Sequence, residues 1–351
     1  MQQHAGLRRM LAGAVFGAAL LGAGMQNPAT IKAQLRLADF RMIETMLTAT
    51  ALSAVVFYFS NRNGYTTISA RKPVSVGLFS YDGNVLGGAL IGIGMAATGA
   101  CPGSALVQAG TGVASGIYTI LGGIIGAMLY VGLERTAENF KTASEKSTTT
   151  DYVQMTDSPV QEHFVIPKIT PPTIADSLEV GPATMVVIWQ LFVLGVISVL
   201  RKFLSVDNVE GISPQVGGLF MGLSQLISIL LTRSSVGVST AYEDVARVVL
   251  SPFLATKGKL LTPATLFALG VFSASCVVKV LYMARELSPA PSMAINHIYG
   301  GAALLFGARL AKGCPSGHGI SGIPTFGWAS VTTIASAFAS GIVFTMAKSM
   351  V

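Results

Sequence analysis

The chain has 351 residues, of which 51% are hydrophobic and only 11% charged, and its mean hydropathy is +0.62. A soluble domain carries about 25% charged residues, so this chain cannot cover a water-facing surface of ordinary size, a need that lipid removes. Its formal charge of +7 comes from 23 Lys and Arg scattered at the ends of apolar runs, which argues against nucleic acid as a partner and for membrane flanks and small anions.

Taken in chain order, the apolar runs long enough to cross about 30 Å of hydrocarbon predict nine helices, over 9–25, 41–60, 83–99, 111–133, 182–204, 215–231, 262–284, 294–311 and 325–347. Arg8 and Arg9 before the first run would also suit a signal peptide. The stretch 134–181 is charged and rich in Ser, Thr and Pro, with Pro167, Pro171 and Pro172, and reads as a solvated linker, disordered in part. The 39 glycines suit close helix packing in a bilayer.

An internal repeat is visible by eye. Gly94 stands seven residues before Cys101-Pro102, and Gly307 seven before Cys314-Pro315. Upstream, Gly13 and Gly17 around Phe16 resemble Gly218 and Gly222 around Phe220. Spans one to four thus recur as six to nine, which makes the first span retained structure. An odd number of spans separates the two copies, so the second enters the membrane from the opposite side. The expected fold is an all-α polytopic membrane protein with two inverted repeats and its site near the midplane. Its parts are a first repeat (1–133), the linker (134–181), a bridging helix (182–214) and a second repeat (215–351). Lys and Arg number fifteen on the N-terminal side and seven on the other, with Lys279 inside span seven. This asymmetry predicts a cytoplasmic N-terminus.

The chemistry gathers at two turns, Gly99-Ala100-Cys101-Pro102-Gly103-Ser104 and Lys312-Gly313-Cys314-Pro315-Ser316-Gly317-His318-Gly319. Proline ends a helix and the glycines let the chain turn, giving broken helices whose freed N–H groups can face a ligand. Irregular backbone at membrane depth is tolerated only in protein or along a cavity, so one break per half points to a shared path.

The segment Gly307 to Gly322 around Cys314 resembles the signature of the YeeE/YedE sulphur-transport family, and Gly92 to Gly112 around Cys101 is similar to that family's matching element. The resemblance spans nearly the whole chain outside the linker. It implies an integral membrane transporter of a small sulphur compound, thiosulfate above all, with cysteines along the path that map here onto Cys101 and Cys314. Family members studied as thiosulfate transporters also carry an early cysteine; here Met25-Gln26-Asn27-Pro28 occupies that place.

The residues suit such a guest. Thiosulfate is a dianion with a soft terminal sulfur, to which a neutral thiol can donate a weak S–H bond while a thiolate would repel it. The expected path therefore comprises Cys101, Pro102, Gly103, Cys314, Pro315 and Gly317. Several neighbours carry two readings. His318 either lines the path or pins the turn. Arg309 and Lys312 either draw an anion to the mouth or snorkel at a helix end. Gln108 either lines the path or satisfies backbone groups. Cys276, in Ser273-Ala274-Ser275-Cys276, either packs a helix or joins the path. A Cys–His pair does not make a zinc site, so neither metal nor cofactor is expected, and no partner protein for a sulphur hand-off can be named. Two other functions compete: a membrane sulfurtransferase or thiol redox enzyme with Cys314 as nucleophile and His318 as base, and a passive small-solute channel.

Overall fold

A computed structural model describes residues 2–151, 173–204, 212–254, 258–282 and 294–349. These residues form α1 (Gln2–Gly22), α2 (Pro28–Leu35), α3 (Arg41–Arg62), α4 (Asp82–Thr98), α5 (Pro102–Thr111), α6 (Ala114–Asp151) and the short α7 (Ile174–Ser177). They continue with α8 (Pro182–Leu204), α9 (Pro214–Thr232), α10 (Ser239–Leu254), α11 (Pro263–Tyr282), α12 (Ala294–Leu310) and α13 (Trp328–Ser349). A π-helical turn (Ser316–Ile320) and a 3-10 turn (Ile323–Thr325) join the last two. No strand occurs among the described residues.

Each of the nine expected spans falls on a helix. Eight helical stretches among the described residues are long and apolar enough to cross a membrane. The ninth, α12, has 17 residues, or about 26 Å of rise, and leads straight into the second Cys-Pro turn. The chain is thus an integral, multi-pass, all-α membrane protein.

The structure departs from the sequence reading in three places. Span four begins at Ala114, because Pro102–Thr111 forms a separate helix closed by left-handed Gly112 (φ 83°). The polar stretch after residue 133 stays helical as far as Asp151, and residues 152–172 lie outside the described residues. Its far end is docked: the Ile174 N–H donates to the Phe326 carbonyl over 2.8 Å, and Trp328 Nε1 donates to Ser177 Oγ over 3.0 Å. The third departure is a pair of short helices, α2 and α10, that no long apolar run announces. Local signals do start α2: Asn27 Oδ1 accepts the Ala29 N–H over 2.9 Å, and Pro28 occupies the first helical position.

Glycine contacts set the packing and reveal its symmetry. A Cβ on Gly13 would strike the Phe267 backbone, and one on Gly17 the Val271 backbone, where α1 meets α11. In the other half, Gly218 faces Thr48 and Gly222 faces Leu52, where α9 meets α3. The two interfaces share one spacing, so α1 and α3 correspond to α9 and α11. At the crossing of α4 with α12, Gly87 meets Gly307 and Gly94 meets Gly300. Matching Gly94 to Gly307 and Gly87 to Gly300 maps this contact onto itself. The helices run antiparallel, so the two-fold relation inverts one half against the other, the arrangement of an isologous interface within one chain. Only glycines let the backbones approach so closely.

α2 and α10 occupy equivalent places, each following the first helix of its half and each starting beside a Cys-Pro turn. A Cβ on Gly99 would stand 2.7 Å from the Pro28 carbonyl oxygen, and the Val238 and Ser239 N–H groups reach the Cys314 sulfur. The largest apolar cluster among the described residues holds Phe16, Leu20, Ile91, Leu304 and Leu305, runs between the halves and contains Cys314. By contrast, α8 is peripheral, with 11% of its apolar window buried; it is tied to α3 by Gln190 Nε2 donating to the Ala51 carbonyl over 2.8 Å.

Candidate functional site

Cys101 is the cap of α5. Its sulfur accepts the Ser104 N–H at 3.3 Å, and its own N–H donates to Ser104 Oγ at 2.7 Å, a reciprocal box closed by Pro102 at the first helical position. Gly99 takes the left-handed conformation (φ 67°) that ends α4. Gln108 Nε2 donates to the Gly99 carbonyl over 3.0 Å, so Gln108 braces the turn from below while its Oε1 has no partner among the described residues. The Tyr242 hydroxyl, on α10, donates to the Pro102 carbonyl over 2.9 Å. A residue of the second half thus holds the turn of the first.

The second turn is built differently. Lys312, left-handed at φ 56°, ends α12 at the place Gly99 ends α4. Cys314 is fully buried. Its sulfur lies 3.1 Å from Ser316 Oγ and faces the N–H groups of Val238, Gly317 and Ser239. Either Cys314 Sγ or Ser316 Oγ can be the donor of that short contact.

His318 is buried and pinned at both nitrogens. Nε2 lies 3.0 Å from the Ala311 carbonyl, which can only accept, so Nε2 carries the proton; Nδ1, 3.1 Å from Ser330 Oγ, takes that hydroxyl's proton. Neither nitrogen is left for a thiol or a metal. Among the described residues no group of three or more His, Cys, Asp and Glu is placed to hold a metal ion.

Other sequence candidates scatter. Arg309 is ion-paired with Glu243 and sits over the Tyr130 ring at 6.0 Å, and Glu243 also binds Arg247, which reaches Glu134 at 2.6 Å. Lys312 is exposed at the N-terminal face. Cys276 is half-buried on α11, where Gly110 of α5 packs beside its backbone nitrogen, and it does not line the chamber described next.

Both turns border one central chamber of about 60 Å³. The first contributes Cys101, Gly103 and Ser104, the second Pro315, Ser316 and Ile320, and Met25, Met42, Met46, Met95 and Met221 line the rest together with Thr45 and apolar groups. Among the described residues no charged side chain lines it. At the N-terminal face a separate basin of about 280 Å³ is lined by Arg71, Arg233, Ser69, Ser234, Ser235 and Ser321, among others.

Arg71 links the basin to the second turn and has no counterpart in the sequence reading. Its Nη1 donates to the Lys312 carbonyl over 2.9 Å and its Nε to the Gly317 carbonyl over 3.3 Å. A Cβ on Gly317 would stand 3.2 Å from Arg71 Nη2 and 3.8 Å from Cys314 Sγ, so one backbone unit separates guanidinium from thiol. The loop that delivers Arg71 is anchored by buried Asp82, which accepts the N–H groups of Val76, Leu78, Phe79 and Gly83. A basic residue in a polar loop gives no such signal in sequence. Ser104 does, since a hydroxyl three residues after a cap is the spacing of a capping box.

No curated protein matches the chain. The sulphur transport family model matches residues 28–344, nearly its whole length, and the chain belongs to that family.

Proposed function

We propose that this member of the sulphur transport family carries a small sulphur-containing anion, thiosulfate, across the membrane along a path lined by Cys101 and Cys314. The observation that carries the reading is that turns from the two inverted halves border one chamber, with Cys101 on its wall and Cys314 one residue before the lining Pro315 and Ser316. Pro102, Gly103, Pro315 and Gly317 shape the turns, while Gln108 and His318 brace them. Lys312, beside the basin of Arg71 and Arg233, contributes cationic potential at the mouth, and Arg309 holds α12 to α10. Cys276 serves packing. On this reading the thiols act as S–H donors and the chain is a transporter rather than an enzyme. It needs no cofactor, and its partners are the anion and the bilayer.

The halves divide at residues 133 and 215, with 134–181 and the bridging helix 182–214 between them, and the Lys/Arg asymmetry puts the N-terminus in the cytoplasm. One observation favours a second reading: three backbone N–H groups around the Cys314 sulfur would equally stabilise a thiolate, as a sulfurtransferase needs. Uptake of labelled thiosulfate into proteoliposomes, with sulfate and sulfite as competitors, tests the first reading. A covalent sulfur adduct on Cys314 with no net uptake would establish the second.

A further inference from the structure

Five of the chain's 14 methionines are among the 19 residues that line the central chamber. They come from four separate places: Met25 from the link after α1, Met42 and Met46 one turn apart on α3, Met95 on α4 and Met221 on α9. Both halves therefore send thioethers to one point, which a core filled at random would not do. Methionine is unbranched, polarisable and able to reshape its contacts, which suits it to a lining that must adapt to what enters. The chamber holds about 60 Å³, room for a few waters, so an anion that occupies it lies in contact with these side chains. Met46 ties this lining to the second turn, since its sulfur lies against Gly319, 3.0 Å from where a Cβ would stand.

Charge decides what the chamber can discriminate. An anion whose outer atoms are all hard oxygen finds three hydroxyls there and, among the described residues, no cation, and desolvating charge without compensation is costly. A terminal sulfur spreads its charge over a large polarisable atom, which disperses against thioether and thiol. Cations stand at the N-terminal mouth, and chemical softness acts in the middle.

We infer that the five methionines are the selectivity element of the chamber, receiving the sulfur end of a sulphur-terminated anion and rejecting anions that present only oxygen. This rests on the transport reading for the presence of a sulphur guest, and it adds residues and a criterion that the cysteines alone do not supply.

The test replaces every methionine of the full-length chain by norleucine, which keeps length and flexibility and exchanges only sulfur for methylene. Uptake of thiosulfate and of sulfate is compared in proteoliposomes. Several weak sulfur interactions disappear together, so the thiosulfate-to-sulfate ratio falls on the order of tenfold. Met42→Leu and Met95→Leu, checked for unchanged thermal melting, each move the ratio in the same direction. An unchanged ratio in either the norleucine protein or the two folded variants overturns the inference and leaves the transport reading intact. Absence of thiosulfate uptake by the unmodified protein overturns the transport reading itself, and the inference with it.

Discussion

Gly87 and Gly307 exclude each other's side chains: a Cβ on Gly87 would come within 2.7 Å of the Gly307 carbonyl oxygen, and one on Gly307 within 2.6 Å of the Gly87 carbonyl oxygen. This reciprocal contact, repeated by Gly94 and Gly300, fixes the crossing of α4 and α12 just before both Cys-Pro turns. Gly307→Ala should lower stability by about 1–3 kcal/mol, as overpacking does, and Gly87→Ala should match it. Thermal melting in detergent checks this. A Gly307→Ala protein as stable as the parent would contradict the two-fold crossing.

Tyr242 reaches from α10 to bond the first turn. Tyr242→Phe leaves the buried Pro102 carbonyl without this donor, at a cost of about 1–3 kcal/mol. The expected outcome is a lower melting temperature together with faster alkylation of Cys101, because the cap loosens. Alkylation kinetics followed by peptide mass spectrometry reads both cysteines in one experiment, and the Cys314 rate should change less.

How much of this was legible in the sequence depends on which physical force left the trace. Nine long apolar runs exist because each segment is surrounded by lipid or by other apolar helices, and all nine became helices. The Gly94/Cys101 and Gly307/Cys314 match was legible because close backbone approach demands glycine at fixed places. What stayed hidden depends on distant contacts. α2 and α10 are short, begin in protein rather than lipid, and carry polar residues such as Lys32 and Glu243. Arg71 acts on carbonyls about 240 residues away. Met25 and Met221 meet only once the halves close on each other, and periodicity along one helix carries no information about that. His318 carries two readings, lining group or pin, and the partners that both its ring nitrogens find, Ser330 and Ala311, are invisible along the sequence.

Arg71 donates to the carbonyls at both ends of the second turn, so removing its guanidinium should free the turn without removing the thiol. Arg71→Gln is expected to speed alkylation of Cys314, and Arg71→Lys to rescue little, because a single ammonium cannot reproduce the fork that spans the Lys312 and Gly317 carbonyls. Cys314 labelling equal to the parent's in Arg71→Gln would show that the turn holds itself.

Topology is tested by labelling from each side of the membrane. The face that bears the loop 63–81 and Arg233 should react together with the N-terminus, from the cytoplasm, and a tag at Lys348 should react from outside. Labelling of both termini from one side would remove a span and with it the inversion of the halves.

The central claim is that Cys101 and Cys314 serve one guest on one path. The most direct measurement is uptake of labelled thiosulfate by Cys101→Ala, Cys314→Ala, the corresponding Ser variants and the double Ala variant, each normalised to reconstituted protein. Single Ala variants should lose most uptake, Ser variants should retain more because a donor survives, and Cys276→Ala should transport normally. The single effects should not add, since both thiols act on the same passing anion. Full uptake by the Cys101→Ala, Cys314→Ala double variant would contradict the account.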